Sequence, residues 1–275
     1  MASREPFLKW AGGKRWLVRQ HAHLLPSFTG KYIEPFLGSG AVFFHLEPEV
    51  ALLSDKNEEL IATYRVVRDT PYALDRRLSE LQELHSAKFY YKMRSDTPST
   101  KIGRAARFIY LNRTCWNGLY RVNMKGQFNV PVGTKTAVEF PENALAGLSK
   151  SLKRVELVES DFETSIDRAE KGDFIFVDPP YTVSHNNNGF IKYNDVLFSW
   201  KDQIRLAKAV QRASDRGAFV FVSNANHDKL IKLYADFAFH YTLGRASILS
   251  GKTEGRRSTE EAAFLNYSPA STSPR

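Results

Sequence analysis

The chain has 275 residues with 43% hydrophobic and 13% aromatic content, which suits one large domain or a domain carrying a sizeable insertion. Its 39 Lys and Arg against 30 Asp and Glu leave a formal charge of +9, a balance that points to a polyanionic partner. A single cysteine, Cys115, excludes a disulfide framework and a thiolate metal cluster, and no apolar run approaches the roughly 20 residues that span a bilayer. With no signal-peptide pattern, a cytoplasmic protein without metal or membrane partners is expected.

From the N-terminus, residues 7–14 read as a loop entering a helix near Arg15. Gly12 and Gly13 permit unusual backbone angles, Trp10 beside Ala11 offers a stacking face, and Lys9 and Lys14 carry charge. A basic arm with a buried Trp is the plain alternative. Residues 31–44 read as a short strand, a turn bearing Gly38, Ser39 and Gly40, and a helix starting near Ser39. Two glycines let a backbone approach a ligand, as in a dinucleotide fingerprint. Phe43 stands where the third glycine belongs, which argues against a pyrophosphate and permits a smaller nucleoside. The apolar run 50–53 ends in Ser54-Asp55. An acid there suits ribose hydroxyls; it also suits capping a helix over 58–67.

Residues 58–107 read as helical and charged, broken at Pro71 and Pro98. Arg65, Arg68, Arg76, Arg77, Lys88, Lys92 and Arg94 supply basic surface, and Leu78, Leu81 and Leu84 form a core stripe at helical spacing. A helix over 105–111 opens into residues 112–133, where Asn117-Gly118 and Lys125-Gly126 are turn signals and 119–123 faces 127–130 as a hairpin. This segment interleaves Asn112, Arg113, Arg121 and Asn123 with Trp116, Tyr120 and Phe128. Arginine reads guanine edges, apolar groups meet a thymine methyl, and an aromatic at a loop tip can replace a displaced base.

A strand over 155–158 ends in Glu159-Ser160-Asp161-Phe162, an acid and an aromatic that suit an adenine ring or, more plainly, a helix cap and a core Phe. The most telling stretch follows: the buried run 174–177 ends in Asp178-Pro179-Pro180-Tyr181. Pro179 cannot extend a ladder, so the strand stops there. A carboxylate, a proline carbonyl and an aromatic face then sit together at a strand's carboxyl end, where α/β sheets hold ligands. Two acceptors gripping an exocyclic amine favour a tetrahedral nitrogen and expose its lone pair, while a tyrosine stacks on the base. Residues 183–195 read as a mobile loop able to close over substrate. A helix over 200–212, a buried strand over 218–224 and an antiparallel pair, 239–249 with 262–267, complete the chain. Gly251-Lys252-Thr253 is not a phosphate-binding loop, because Ala246 stands where that motif needs glycine; with Arg256 and Arg257 it reads as a basic loop on DNA phosphate or a plain surface loop. The alternation of strands and helices predicts an α/β, doubly wound, mostly parallel sheet.

Together residues 7–14, 34–40, Asp55, 112–133 and 178–181 resemble the Dam-type DNA adenine methyltransferases, in the same order and over nearly the whole chain. The resemblance implies a Rossmann-like methyltransferase fold with an antiparallel C-terminal strand. It implies a discontinuous catalytic domain, 1–57 with 151–270, an inserted helical and β-hairpin target-recognition domain, 58–150, and a tail, 271–275. It implies transfer of a methyl group from S-adenosyl-L-methionine to N6 of a flipped adenine in duplex DNA. Asp178 and Pro179 would hold the amine, with Pro180 and Tyr181 completing the motif. The cofactor would meet Trp10, Ala11, Gly12, Lys14, Glu34, Pro35, Phe36, Gly38, Ser39, Gly40, Asp55, Asp161, Phe162 and Asp178. DNA would meet Lys9, Arg94, Asn112, Arg113, Trp116, Asn117, Leu119, Arg121, Asn123 and Pro131. Lys9, Leu119, Arg121 and Pro131 match the base readers of the GATC-specific branch. Trp116 stands where that branch commonly inserts a tyrosine, and Tyr120 is a bulky departure. A monomer is expected, either solitary or paired with a restriction enzyme. The alternatives are an RNA adenine-N6 methyltransferase and a non-catalytic DNA-binding module on a Rossmann scaffold.

Overall fold

The computed structural model describes residues 5–123, 125–182, 198–245 and 259–269. Its strands are β1 (Tyr32–Glu34), β2 (Ala51–Asp55), β3 (Val155–Glu159), β4 (Phe174–Val177), β5 (Phe219–Ala225), β6 (Phe239–Arg245) and β7 (Thr259–Leu265). They form a seven-stranded sheet in the order β3-β2-β1-β4-β5-β7-β6. β1 pairs in parallel with β2 and with β4, and β4 with β5; β7 runs antiparallel to both β5 and β6. β1 and β4 are buried at every position. Parallel strands covered on both faces favour continuous apolar runs, which is why the sequence displayed β4.

Two compact units divide the chain. The first comprises Met1–Arg15, Leu37–Glu49 and Asp55–Glu159. It holds α2 (Ala41–Leu46), α3 (Glu58–Asp69), α4 (Pro71–Glu83), α5 (Ala87–Ser95), α6 (Lys101–Thr114), a 3-10 turn over Trp116–Gly118, and α7 (Ala144–Leu152), following α1 (Arg15–Gln20). Leu60, Ile61, Tyr64, Leu74, Leu78, Leu81, Ile109 and Tyr110 build its core. Leu84 leaves the expected stripe: α4 ends at Glu83, so Leu84 lies past the last turn and is exposed. The cap of α3 is Asn57, whose side chain accepts from the Leu60 N–H, and not Asp55. Arg65 and Arg68 are not merely basic surface, because their guanidinium groups donate to the Leu157 and Val155 carbonyls of β3. α6 starts earlier and runs further than the sequence suggested, capped by Thr100, whose hydroxyl accepts from the Gly103 N–H.

The second unit comprises Trp16–Phe36, Val50–Ser54 and Ser160–Arg275. It carries α8 (Phe162–Ile166), α9 (Trp200–Asp215) and α10 (Asp228–Tyr234). α9 begins with a reciprocal cap: Ser199 accepts from the Asp202 N–H while the Asp202 carboxylate accepts from the Ser199 N–H. In this unit the chain leaves β1 toward β2 on one side and later returns through β4 and β5 on the other. The neighbouring β1 and β4 therefore form a topological switch point, where open α/β sheets place ligands beyond the carboxyl ends of the strands.

Candidate active site

In the first unit the glycine turn is built by mutual support. Gly38 has φ +47 and Gly40 φ +64, left-handed angles that favour glycine. A Cβ on Gly38 would fall 2.7 Å from Trp10 Cδ1, so the missing side chain is what lets Trp10 pack against the turn. The Gly38 N–H donates to Asp55 Oδ2 at 3.1 Å, and its carbonyl accepts from the Tyr64 hydroxyl at 3.1 Å. The other Asp55 oxygen accepts from the Asn57 N–H at 3.0 Å. Burial pushes the Asp55 carboxyl up from its ordinary value, partly offset by backbone N–H donors. Trp10 is half-buried and stacks on Tyr120, with ring centroids 5.4 Å apart at 18°. Lys14 is buried and donates to the Gly12 carbonyl at 2.8 Å; Ser39 is buried, whereas Ala11 and Gly12 are exposed.

The second unit gathers the residues that follow β1 and β4. Register places Tyr32 beside Phe174 and Ile33 beside Ile175, so Glu34-Pro35-Phe36 and Asp178-Pro179-Pro180-Tyr181 leave adjacent strands in the same direction. Glu34 is buried and accepts from the Tyr32 hydroxyl at 2.9 Å. Phe36 stacks on Phe162 at 5.4 Å and 22°. Pro179 is buried, while Asp178, Pro180 and Tyr181 are half-buried. Asp161 is the N-cap of α8, accepting from the Glu163 N–H, and both its oxygens accept from Arg205 Nη2, at 2.6 and 2.5 Å. The Arg205 guanidinium also lies 4.3 Å from the centre of the Phe162 ring. The plain reading of residues 161–162 as a cap and a core Phe is thus realised, with Arg205 fixing both. Sequence reading missed Arg205, because one arginine among several on a charged helix carries no distinguishing signal.

The segment of residues 112–133 in the first unit is looser than the expected hairpin. Two isolated bridges, Cys115 with Val132 and Val122 with Phe128, hold it, with the Asn123 N–H on the Gln127 carbonyl and the Asn129 N–H on the Arg121 carbonyl. Asn117 and Gly118 both have positive φ, as their turn signal required. Trp116 is 51% exposed, Pro131 is exposed, and Leu119, Arg121 and Asn123 are half-buried. Arg121 Nε donates to Asn129 Oδ1 at 2.8 Å. Three residues expected to face DNA also make hydrogen bonds within the unit. Asn112 is 1% exposed, its amide bridging the Lys9 N–H and carbonyl. Arg94 donates to the Val130 carbonyl, and Arg113 donates to the Ala137 and Glu139 carbonyls. Burial, together with Lys135 and Arg113, holds the Lys9 ammonium below its ordinary value. Burial pushes the Cys115 thiol to about 11, which leaves it unreactive.

Among the described residues no group of three or more His, Cys, Asp or Glu could hold a metal ion, and no helix is long and apolar enough to cross a membrane. The expected closing loop at 183–195 and the basic loop at 250–257 lie outside the described residues.

Comparison with known proteins adds a family and relatives. A family profile described as "D12 class N6 adenine-specific DNA methyltransferase" matches residues 10–248. The type II methyltransferase M.MjaIII of Methanocaldococcus jannaschii is 38% identical over 289 residues, covering 96% of this chain and 99% of that one. The type II methyltransferase M1.LlaDCHI of Lactococcus lactis subsp. cremoris is 36% identical over 271 residues, covering 95% of each. The DNA adenine methylase of Escherichia coli K12 is 31% identical over 280 residues, covering 100% of this chain and 99% of that one.

Proposed function

The chain belongs to the D12 class of N6 adenine-specific DNA methyltransferases, and from that membership we propose that it uses S-adenosylmethionine to methylate the adenine of GATC in duplex DNA. The observation that carries the reading is the pair of segments leaving β1 and β4 side by side at the switch point: Glu34-Pro35-Phe36 and Asp178-Pro179-Pro180-Tyr181.

The residues suit the cofactor. A carboxylate offers about four acceptor positions, so Asp55, which accepts from the backbone of Gly38, Asn57 and Lys56, retains capacity for a ribose hydroxyl. Phe36 and Phe162 are flat apolar partners for an adenine ring, and Trp10, Gly38 and Gly40 line the turn. The cofactor supplies an activated methyl group. The protein's part is to present the acceptor nitrogen. The lone pair of adenine's amine is delocalised into the ring, which makes it a poor nucleophile. The Asp178 carboxylate and the Pro179 carbonyl accept its two N–H bonds, favour a tetrahedral nitrogen and stabilise the positive charge that develops there. Pro180 has no N–H and so brings no competing donor. Tyr181 stacks on the base after flipping, which costs a few kcal/mol of unstacking. Residues 58–150 act as the target-recognition domain. Lys9, Leu119, Arg121 and Pro131 read the flanking bases, and Trp116 occupies the vacated place in the stack.

The test maps methylated adenines by sequencing after unmethylated DNA is treated with the pure protein, beside an RNA substrate of matching sequence. Methylation confined to GATC supports the reading; another motif replaces the specificity, and methylation of RNA alone replaces the substrate. Asp178→Ala should abolish methyl transfer while calorimetry still detects S-adenosylmethionine binding. Full activity in that variant would remove the mechanism.

A further inference from the structure

The second unit contains a buried polar circuit behind Tyr181 that the roles above leave unused. The Tyr181 hydroxyl donates to Glu261 Oε2 at 2.5 Å and lies 3.4 Å from Ser223 Oγ. Glu261 is 4% exposed, in the middle of β7, where register places it between Ala225 of β5 and Leu243 of β6. The next residue of the loop is tied as well. Gln203 Nε2 on α9 donates to Thr182 Oγ1 at 3.1 Å, Asn224 Nδ2 donates to Gln203 Oε1 at 3.2 Å, and Asn224 Oδ1 accepts from the Ala225 N–H at 2.9 Å. Ala225 is the cross-strand partner of Glu261, so the hydrogen bonds and the ladder together close a ring through β5, β7, α9 and residues 181–182. Ser223, Asn224 and Gln203 have no exposed surface.

We propose that Glu261 is a positioning residue for methyl transfer, holding the Tyr181 ring in the plane that stacks on the flipped adenine. The inference rests on the reading of Tyr181 as the base-stacking residue. Two physical effects follow from the geometry. A phenol anchored at its far end by a carboxylate on a central strand is preorganised, so the base meets a ring already in place. A hydrogen bond to a carboxylate also enriches the ring in electrons, and an electron-rich face attracts the positive charge that grows on the base as its nitrogen is alkylated. A carboxylate this deep in a strand carries a desolvation cost that an apolar residue would avoid; the bond to Tyr181 gives that cost a purpose.

The experiment compares Tyr181→Phe, Glu261→Gln and the double variant under single-turnover conditions on GATC duplex. Both single changes keep shape. Each should slow methyl transfer about 10-fold, the order that losing one charge-assisted hydrogen bond implies. Glu261→Gln keeps an amide oxygen to accept from the phenol and removes only the charge, so the double variant should be no slower than Tyr181→Phe alone, in which the phenol is already gone. Apparent KM for DNA and for S-adenosylmethionine should stay within twofold, and the thermal midpoint of Glu261→Gln should stay close to the parent. 2-Aminopurine at the target position should fluoresce more brightly in both variants, since an aromatic ring no longer anchored at its far end quenches a flipped base less. Wild-type rates in Glu261→Gln, or additive losses in the double variant, would overturn the role of Glu261 while leaving the methyltransferase reading intact. A parent protein that methylates no adenine in DNA would overturn both.

Discussion

Asn112→Ala tests whether recognition of the substrate depends on a buried amide that holds the Lys9 backbone. The Asn112 side chain accepts from the Lys9 N–H at 2.9 Å and donates to the Lys9 carbonyl at 2.7 Å, with a longer contact to the Gly118 carbonyl at 3.4 Å. Two well-formed bonds are lost on truncation, and a Lys9 N–H loses its partner. A neutral hydrogen bond contributes about 1 kcal/mol net, and an orphaned buried group costs about 1–3 kcal/mol. The expected destabilisation is therefore about 2–3 kcal/mol, or a fall in thermal midpoint of roughly 5 °C for a chain of this size. The functional effect should be more selective than the stability effect. Lys9 packs its stem against Gly118, where an added Cβ would lie 2.5 Å from Lys9 Cδ, so loosening the Lys9 backbone misplaces one proposed base reader. Discrimination at one flanking base should weaken about 10-fold, of the order of the 1–3 kcal/mol expected for one base contact. Asn112→Asp should be worse, because a carboxylate would face two carbonyls. The assays are urea denaturation and methylation rates on GATC beside duplexes carrying each single-base change. Parent-like stability with parent-like discrimination in Asn112→Ala would refute the clamp.

Three further outcomes follow from the same geometry. Arg121→Ala should relax discrimination at one base by about 1–3 kcal/mol in competition between GATC and near-cognate duplexes, and unchanged preference would refute its reader role. Gly38→Ala places a Cβ 2.7 Å from Trp10 at φ +47 and should weaken S-adenosylmethionine binding at least about 10-fold by calorimetry, with strain of about 1–3 kcal/mol; parent affinity would show that the turn tolerates displacement of Trp10. Burial holds the His85 imidazole below its ordinary value of 6.5, with Nδ1 2.9 Å from the Tyr110 hydroxyl. Protonation therefore favours the unfolded chain: the contribution is complete above about pH 6.5 and is lost as pH falls through the depressed value. Urea denaturation at pH 7 and pH 5 should show a smaller acid loss in His85→Gln than in the parent, and equal losses would exclude His85 as a source.

Which features the sequence displayed follows from how far apart their partners lie. β4 and β5 were legible because a parallel strand covered on both faces needs an apolar run, and Pro179 ends one of them visibly. The glycine turn was legible because its angles are local. The structural role of Asn112 was hidden because the helix was expected to stop at residue 111. α6 runs on to Thr114, which carries Asn112 onto the packed side, and its hydrogen-bond partner lies 103 positions away. Glu260 and Glu261 are the same residue type in succession, yet one is exposed and the other buried. Alternation along β7 makes the two differ, but the register between β5 and β6 decides which one turns inward, and the loop after β4 brings that acid a partner 80 positions back. Polar residues that position others are therefore the ones composition and spacing conceal. A buried amide or acid advertises itself in a sequence no differently from a solvated one, and its role appears only when distant strands close on it.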